Sequence, residues 1–250
     1  MKQILCCHNV MVDFAGFKAL QGVDLAIESN EVRFLIGPNG AGKTTILDVI
    51  CGKTKATEGK VLFHDEVNLC KMPEHKIVEQ GIARKFQNPS IFSQLSVFEN
   101  LELSIKQKRN LSSVLFARMT AETNDEINRV LEQIGLLQCR EQQAGSLSHG
   151  QKQWLEIGMQ LMQKPSLLLL DEPIAGMTGS EREKTGELMH EISATCSVLV
   201  VEHDMDFVRR FSKRVTVMHE GRVLCEGTMA DVQENEKVQQ VYLGRREKAC

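Results

Sequence analysis

The run Gly37-Pro38-Asn39-Gly40-Ala41-Gly42-Lys43-Thr44 constrains this chain more than any other segment. Before it, Val32-Arg33-Phe34-Leu35-Ile36 is strand-like; after it, Thr45-Ile46-Leu47-Asp48-Val49-Ile50 is helix-like. Strand, glycine-rich loop and helix in that order predict a phosphate cradle, the P-loop. Gly37 and Gly42 allow backbone conformations that a Cβ would obstruct, so successive N–H groups can turn inward around phosphate oxygens. The residues expected to hold a nucleotide here are Gly37, Pro38, Asn39, Gly40, Ala41, Gly42, Lys43, Thr44 and Thr45. Lys43 brings a mobile cation to the β and γ phosphates, Thr44 a hydroxyl to Mg²⁺, and the helix start its positive dipole end.

Leu167 to Leu170 is wholly apolar, as suits a parallel strand buried on both faces, and it ends in Asp171 and Glu172. Such a strand end faces the ligand crevice. Asp171 is read as the carboxylate that holds Mg²⁺ through its water shell, and Glu172 as the one that orients or partly deprotonates the attacking water. A further apolar strand, Ser197-Val198-Leu199-Val200-Val201, ends in Glu202 and His203, again a polar group emerging at a strand's C-terminal end.

GPNGAGKT, Gln87 in RKFQ, LSHGQ at Leu147 to Gln151, LLLLDEP and the histidine of VEHD occur in the order seen in ABC-type ATPases. The chain resembles one such cassette over essentially its full length. The resemblance implies an α/β fold: a P-loop NTPase cassette with a RecA-like core, an antiparallel β subdomain and an inserted helical subdomain. It implies that Gln87 contacts Mg²⁺ or water, so that the metal set is Thr44, Gln87 and Asp171. His203 becomes the switch histidine on the γ phosphate and Phe14, in VDFAGF, the aromatic stacked on adenine, although Phe17 lies nearby and a core role is open to either ring. Ser148, Gly150 and Gln151 start an amphipathic helix whose stripe is Trp154, Ile157, Gly158, Leu161 and Met162. In the family that helix start closes on the ATP held by a second cassette, identical or paralogous, in a head-to-tail dimer. The further partners implied are transmembrane permease subunits, with a substrate-binding protein engaged only indirectly.

The sequence departs from the family pattern at His149, where glycine is common, at Lys152 and Trp154, and at Thr178, where relatives carry aspartate or asparagine. GIARKFQNPSIF, LSHGQKQWLEIGM, LLLLDEPIAGMT, VEHDMDFV and VYLGR look like urea-uptake members of the branched-chain amino-acid cassette family. Urea import is the expectation that follows. Branched-chain amino-acid import is the alternative, and a soluble ABC ATPase working as a mechanical switch is another.

No stretch of the 250 residues approaches the ~20 apolar residues that span a bilayer. Nor is there an N-terminal apolar segment of signal-peptide type, so a cytoplasmic location is expected, peripheral on the cytoplasmic face of the inner membrane. A net charge of -3 gives no basic surface for nucleic acid. The eight cysteines lack CxxC spacing and read as reduced thiols. Lys106 to Arg118 is basic and apolar, open to either a solvated loop or a segment near headgroups. One ABC ATPase domain is expected over 1–250: residues 1–87 and 165–250 as the α/β core with its β subdomain, and 88–164 as the helical subdomain. Phe86 and Ile91-Phe92, with Arg84 and Lys85, mark the groove where a permease helix is expected to dock.

Overall fold

Along Gln3–Phe14 (β1) and Phe17–Glu28 (β2) buried positions are interleaved with exposed ones, the mark of strands with one wet face. The computed structural model describes residues 2–85, 90–105 and 121–243. β1 and β2 form an antiparallel hairpin closed by the pair Phe14 and Phe17. The two residues between them, Ala15 (φ 51°) and Gly16 (φ 97°), both adopt positive φ, the requirement of a tight primed turn whose twist matches the strands. Glu58–Phe63 (β4) pairs with β1, and Val67–Asn68 (β5) with β4, giving a four-stranded sheet in the order β2-β1-β4-β5.

The second sheet has six strands in the order β10-β9-β3-β8-β7-β6. These are Val32–Ile36 (β3), Ile82–Lys85 (β6), Leu167–Asp171 (β7), Ser197–Val201 (β8), Arg214–His219 (β9) and Arg222–Gly227 (β10). β3, β7 and β8 are buried at every position, and β8 runs parallel to both β3 and β7, which is why they read as mostly apolar runs, interrupted in β3 by the buried Arg33. Parallel strands put their C-terminal ends on one edge, so the P-loop after β3, Asp171 at the end of β7 and His203 just past β8 share that edge. β9 and β10 form an antiparallel hairpin around Glu220 (φ 47°) and Gly221 (φ 75°).

The chain forms two compact units. The first is Met1–Arg84, Ser166–Pro173 and Ile192–Cys250, and holds both sheets. Its core joins Leu5, Val23, Ile27 and Phe63 of the first sheet to Leu35, Leu167, Leu169 and Leu199 of the second. Ile46, Leu47 and Ile50 of the helix Lys43–Ile50 (α1) complete it. Each such side chain contributes about 1.5–3 kcal/mol by leaving water. Trimming Leu47 to alanine is expected to cost ~2–5 kcal/mol and to loosen the helix that carries the P-loop.

The second unit is Lys85–Pro165 with Ile174–Glu191. Between α1 and this unit's helices lies Glu74–Glu79 (α2), in the first unit. Val97–Leu103 (α3), Ala121–Gln133 (α4) and His149–Leu161 (α5) pack on one another in the second. Gly179–Ser193 (α6) joins them through Ile174–Glu191, a segment that the sequence boundaries of 88–164 left in the α/β core. The reason lies in Trp154, whose indole N–H donates to Thr185 Oγ1 at 2.9 Å while Lys184 Nζ sits 4.2 Å over its ring. Burial on α5 is also wider than one stripe, taking in Gln153, Leu155 and Glu156 besides Trp154 and Ile157. Met205–Phe211 (α7), Met229–Glu234 (α8) and Glu236–Leu243 (α9) finish the chain in the first unit. Among the described residues no helix is long and apolar enough to cross a membrane.

Candidate active site

The P-loop turns where β3 ends because its glycines accept a backbone that other residues resist. Gly42 has φ 98°, and a Cβ there would lie 2.8 Å from Leu20 Cδ2 and 2.9 Å from the Ala19 carbonyl. Gly37 is tighter still, with the Met218 carbonyl 2.2 Å from its missing Cβ. Lys43, the first residue of α1, folds back over the loop and donates to the Gly37 carbonyl at 2.8 Å and the Pro38 carbonyl at 3.1 Å. Burial lowers its ammonium below the ordinary lysine value, and the carboxylates of Glu172 and Asp171 pull the other way.

Beside this loop is a cavity of about 330 Å³, in the range of small-molecule sites. Asn39 to Thr45 line one side, Glu172 and Val201 another, and Phe17 the mouth. Glu172 holds φ 48°, unusual for a residue with a side chain, while its N–H donates to the Val201 carbonyl at 2.9 Å. Such backbone strain costs about 1–3 kcal/mol and is concentrated at working sites. His203 Nδ1 lies 3.4 Å from Glu172 Oε1.

Asp171, one residue earlier, is buried. Its Oδ2 accepts from Arg84 Nη2 at 3.3 Å, whereas its Oδ1 is buried with no hydrogen-bond partner among the described residues. Burial raises its carboxyl above the usual range, and the Arg84 guanidinium opposes the rise. An orphaned buried carboxylate oxygen and the exposed Thr44 hydroxyl are hard oxygen donors of the kind Mg²⁺ takes, with water and phosphate completing its shell. These two residues fit the metal.

Of the residues singled out in the sequence, Gly37 to Thr45, Asp171, Glu172 and His203 thus gather on one sheet edge. Gln87 falls outside the described residues, as do Phe86 and the basic segment Lys106 to Arg118. Phe14 does not line the cavity; its hairpin partner Phe17 does. Both rings are solvent-exposed, Phe17 at 67% and Phe14 at 51%, so neither fills a core. Nothing in the sequence separated the two, since the outcome depends on which side of the Ala15-Gly16 turn meets the loop.

In the second unit, Ser148 caps α5 reciprocally with Gln151: Gln151 N donates to Ser148 Oγ and Ser148 N to Gln151 Oε1. The Ser148 hydroxyl also donates to Glu181 Oε1 at 2.9 Å. Glu181 comes so near that a Cβ at Gly150 would lie 2.5 Å from its carboxylate carbon. His149 Nε2 bonds the Ala175 carbonyl at 3.1 Å, so the residue that departs from the common glycine ties α5 to the loop following Glu172. Glu181 was missed in the sequence, although its spacing from Thr178 forms a capping pair.

The family model described as ABC transporter matches residues 20–175, and one described as branched-chain amino acid ATP-binding cassette transporter matches 222–248. A high-affinity branched-chain amino acid transport ATP-binding protein, LivG of Escherichia coli K12, is 36% identical, with 96% of this chain and 98% of the relative covered. The solved ADP conformation of an ATP-binding cassette of an ABC transporter superposes with a TM-score of 0.85 at 31% identity, covering 98% of this chain and 100% of the other. A dimeric cassette in a post-hydrolysis state, bound to ADP and Pi, gives a TM-score of 0.75 at 25% identity, covering 90% and 99%. The chain is an ATPase and belongs to the ABC transporter family, as an ATP-binding subunit of its branched-chain amino acid branch.

Proposed function

We propose that this ATPase energises an importer for branched-chain amino acids. The observation that carries the cargo is the likeness to a branched-chain amino acid transport ATP-binding protein along nearly the whole of both chains. The cassette works as a head-to-tail dimer with a second cassette and drives two membrane permease subunits, on the cytoplasmic face of the plasma membrane. A substrate-binding protein reaches it only through the permeases.

In this reading the P-loop N–H groups and Lys43 cradle the triphosphate, and Phe17 stacks on adenine. Thr44, Asp171 and Gln87 would hold Mg²⁺, which when bound would neutralise charge on the triphosphate. Glu172 accepts a hydrogen bond from the attacking water and draws its proton as the water oxygen bonds to the γ phosphorus. The bond to the β-phosphate oxygen breaks, and ADP leaves with that oxygen. His203 donates to the γ phosphate while paired with Glu172. Ser148, Gly150 and Gln151 present the α5 N-terminus to the nucleotide of the partner cassette.

A second reading, urea import, has its support in the motif spelling LSHGQKQWLEIGM, in which His149 engages the Ala175 carbonyl. Uptake of labelled leucine and of labelled urea in a strain lacking this gene separates the two. Lost leucine uptake with normal urea uptake is the expected result. The reverse selects urea, and two normal uptakes turn the function toward a soluble switch.

A further inference from the structure

Arg84 is a charged residue inside the strand β6, yet it is only 8% exposed. Its guanidinium reaches two different elements. Nη2 donates to Asp171 Oδ2 at 3.3 Å, at the end of β7. Nη1 donates to Asp48 Oδ1 in the middle of α1, and to Cys51 Sγ at 3.3 Å where α1 is capped. The helix it grips is the one whose first turn carries Lys43 and Thr44.

We infer that Arg84 is a positioning residue for the reaction: one buried guanidinium ties the end of β7 to α1 and so fixes Asp171 relative to Thr44. Two consequences follow from the geometry. By engaging Oδ2, Arg84 leaves Oδ1 as the Asp171 oxygen available to another cation. By gripping Asp48 and Cys51 as well, it stops α1 from sliding along the strand that bears Asp171. A planar fork can hold both elements at once, whereas a lysine at this position presents one point charge on a shorter reach. Residues that orient metal-binding carboxylates typically change metal affinity or activity by ~10–100-fold when altered.

Arg84's role rests on the reading of Thr44 and Asp171 as holders of a divalent cation, and the test keeps the two apart. Mn²⁺ is titrated into the full-length protein with a non-hydrolysable ATP analogue, and free Mn²⁺ is read by electron paramagnetic resonance. The same nucleotide is titrated in EDTA. Arg84→Lys is expected to weaken Mn²⁺ about tenfold and to leave nucleotide affinity in EDTA as in the parent. Asp48→Asn, which loosens the grip on α1 and keeps Asp171 paired, moves Mn²⁺ affinity in the same direction by less. If Arg84→Lys does not fold, this second variant decides. Unchanged Mn²⁺ affinity in the folded variants overturns the role of Arg84, whatever their melting temperatures. Asp171→Asn identifies the source of such a failure: lost Mn²⁺ affinity there condemns Arg84 alone, and unchanged affinity removes the metal reading and Arg84 with it.

Discussion

Glu172 Oε1 and His203 Nδ1 lie 3.4 Å apart, one at the end of β7 and the other just past β8. Parallel pairing of β7 with β8 matches Asp171 to Val201, so both side chains leave the sheet at the same level. Glu172 also keeps a positive φ that presents its carboxylate to the cavity beside the P-loop. The proposed base and the proposed donor thus sit just past the ends of adjacent strands, and the two have separable tests.

Glu172→Gln keeps the size and the hydrogen-bonding reach of the side chain and removes its basicity. Turnover should fall by about 10²- to 10⁴-fold, the usual worth of a general base. ATP should still bind, and the nucleotide-bound form should accumulate as a closed dimer. Phosphate release in a single turnover, with light scattering for mass, reads both. Wild-type turnover would take Glu172 out of the base role.

His203→Ala removes the donor that the proposed mechanism places on the γ phosphate while leaving Glu172 in place. Loss of a single such donor costs ~10²–10³ in rate. The histidine is exposed, so stability should change by no more than about 0.5 kcal/mol. A lowered melting point with unchanged turnover would return His203 to a purely structural part.

The Phe14 and Phe17 rings give a paired test. Phe17 borders the cavity and Phe14 does not. Stacking of a base on an aromatic ring is worth ~1–3 kcal/mol, so Phe17→Ala should raise the ATP Kd by roughly 5- to 150-fold. Phe14→Ala should leave it unaltered. Equal losses from both variants would show the hairpin tip acting as a unit, and a loss from Phe14→Ala alone would restore the ring favoured by the sequence.

The parts of this site that could be read from sequence are those encoded locally. Gly37 and Gly42 answer to backbone contacts that any strand, loop and helix of this kind must make, and Asp171 and Glu172 follow an apolar run too uniform for a half-exposed strand. Arg84 was opaque for the opposite reason. The sequence placed it with Lys85 in the expected docking groove, whereas it is buried on Asp48, Cys51 and Asp171, which come from elements remote in the chain. The helix Gly179–Ser193 shows the same limit. Its place in the second unit comes from contacts that no periodicity announces, Trp154 on Thr185, Lys184 over the Trp154 ring and Ser148 on Glu181.

Glu181 supplies a prediction in pH. Its carboxylate accepts from the Thr178 backbone N–H, then from the Thr178 and Ser148 hydroxyls, and with His149 nearby these hold it below the ordinary value of 4.5. A carboxyl lowered on folding stabilises the native state above its unfolded value, and the contribution is lost as pH falls through its lower folded value. Glu181→Gln preserves the shape and removes the charge from the N-terminal turn of α6 and from Ser148. At about pH 7 the variant should melt ~1–4 °C below the parent, the scale of one acidic charge at a helix N-terminus, about 0.3–1 kcal/mol. As pH falls from about 4.5 through the lower folded value the gap should close, because the parent loses what the variant never had. Thermal melts of both proteins across that range check the sign. A gap that stays constant would mean that Glu181 contributes packing and not charge.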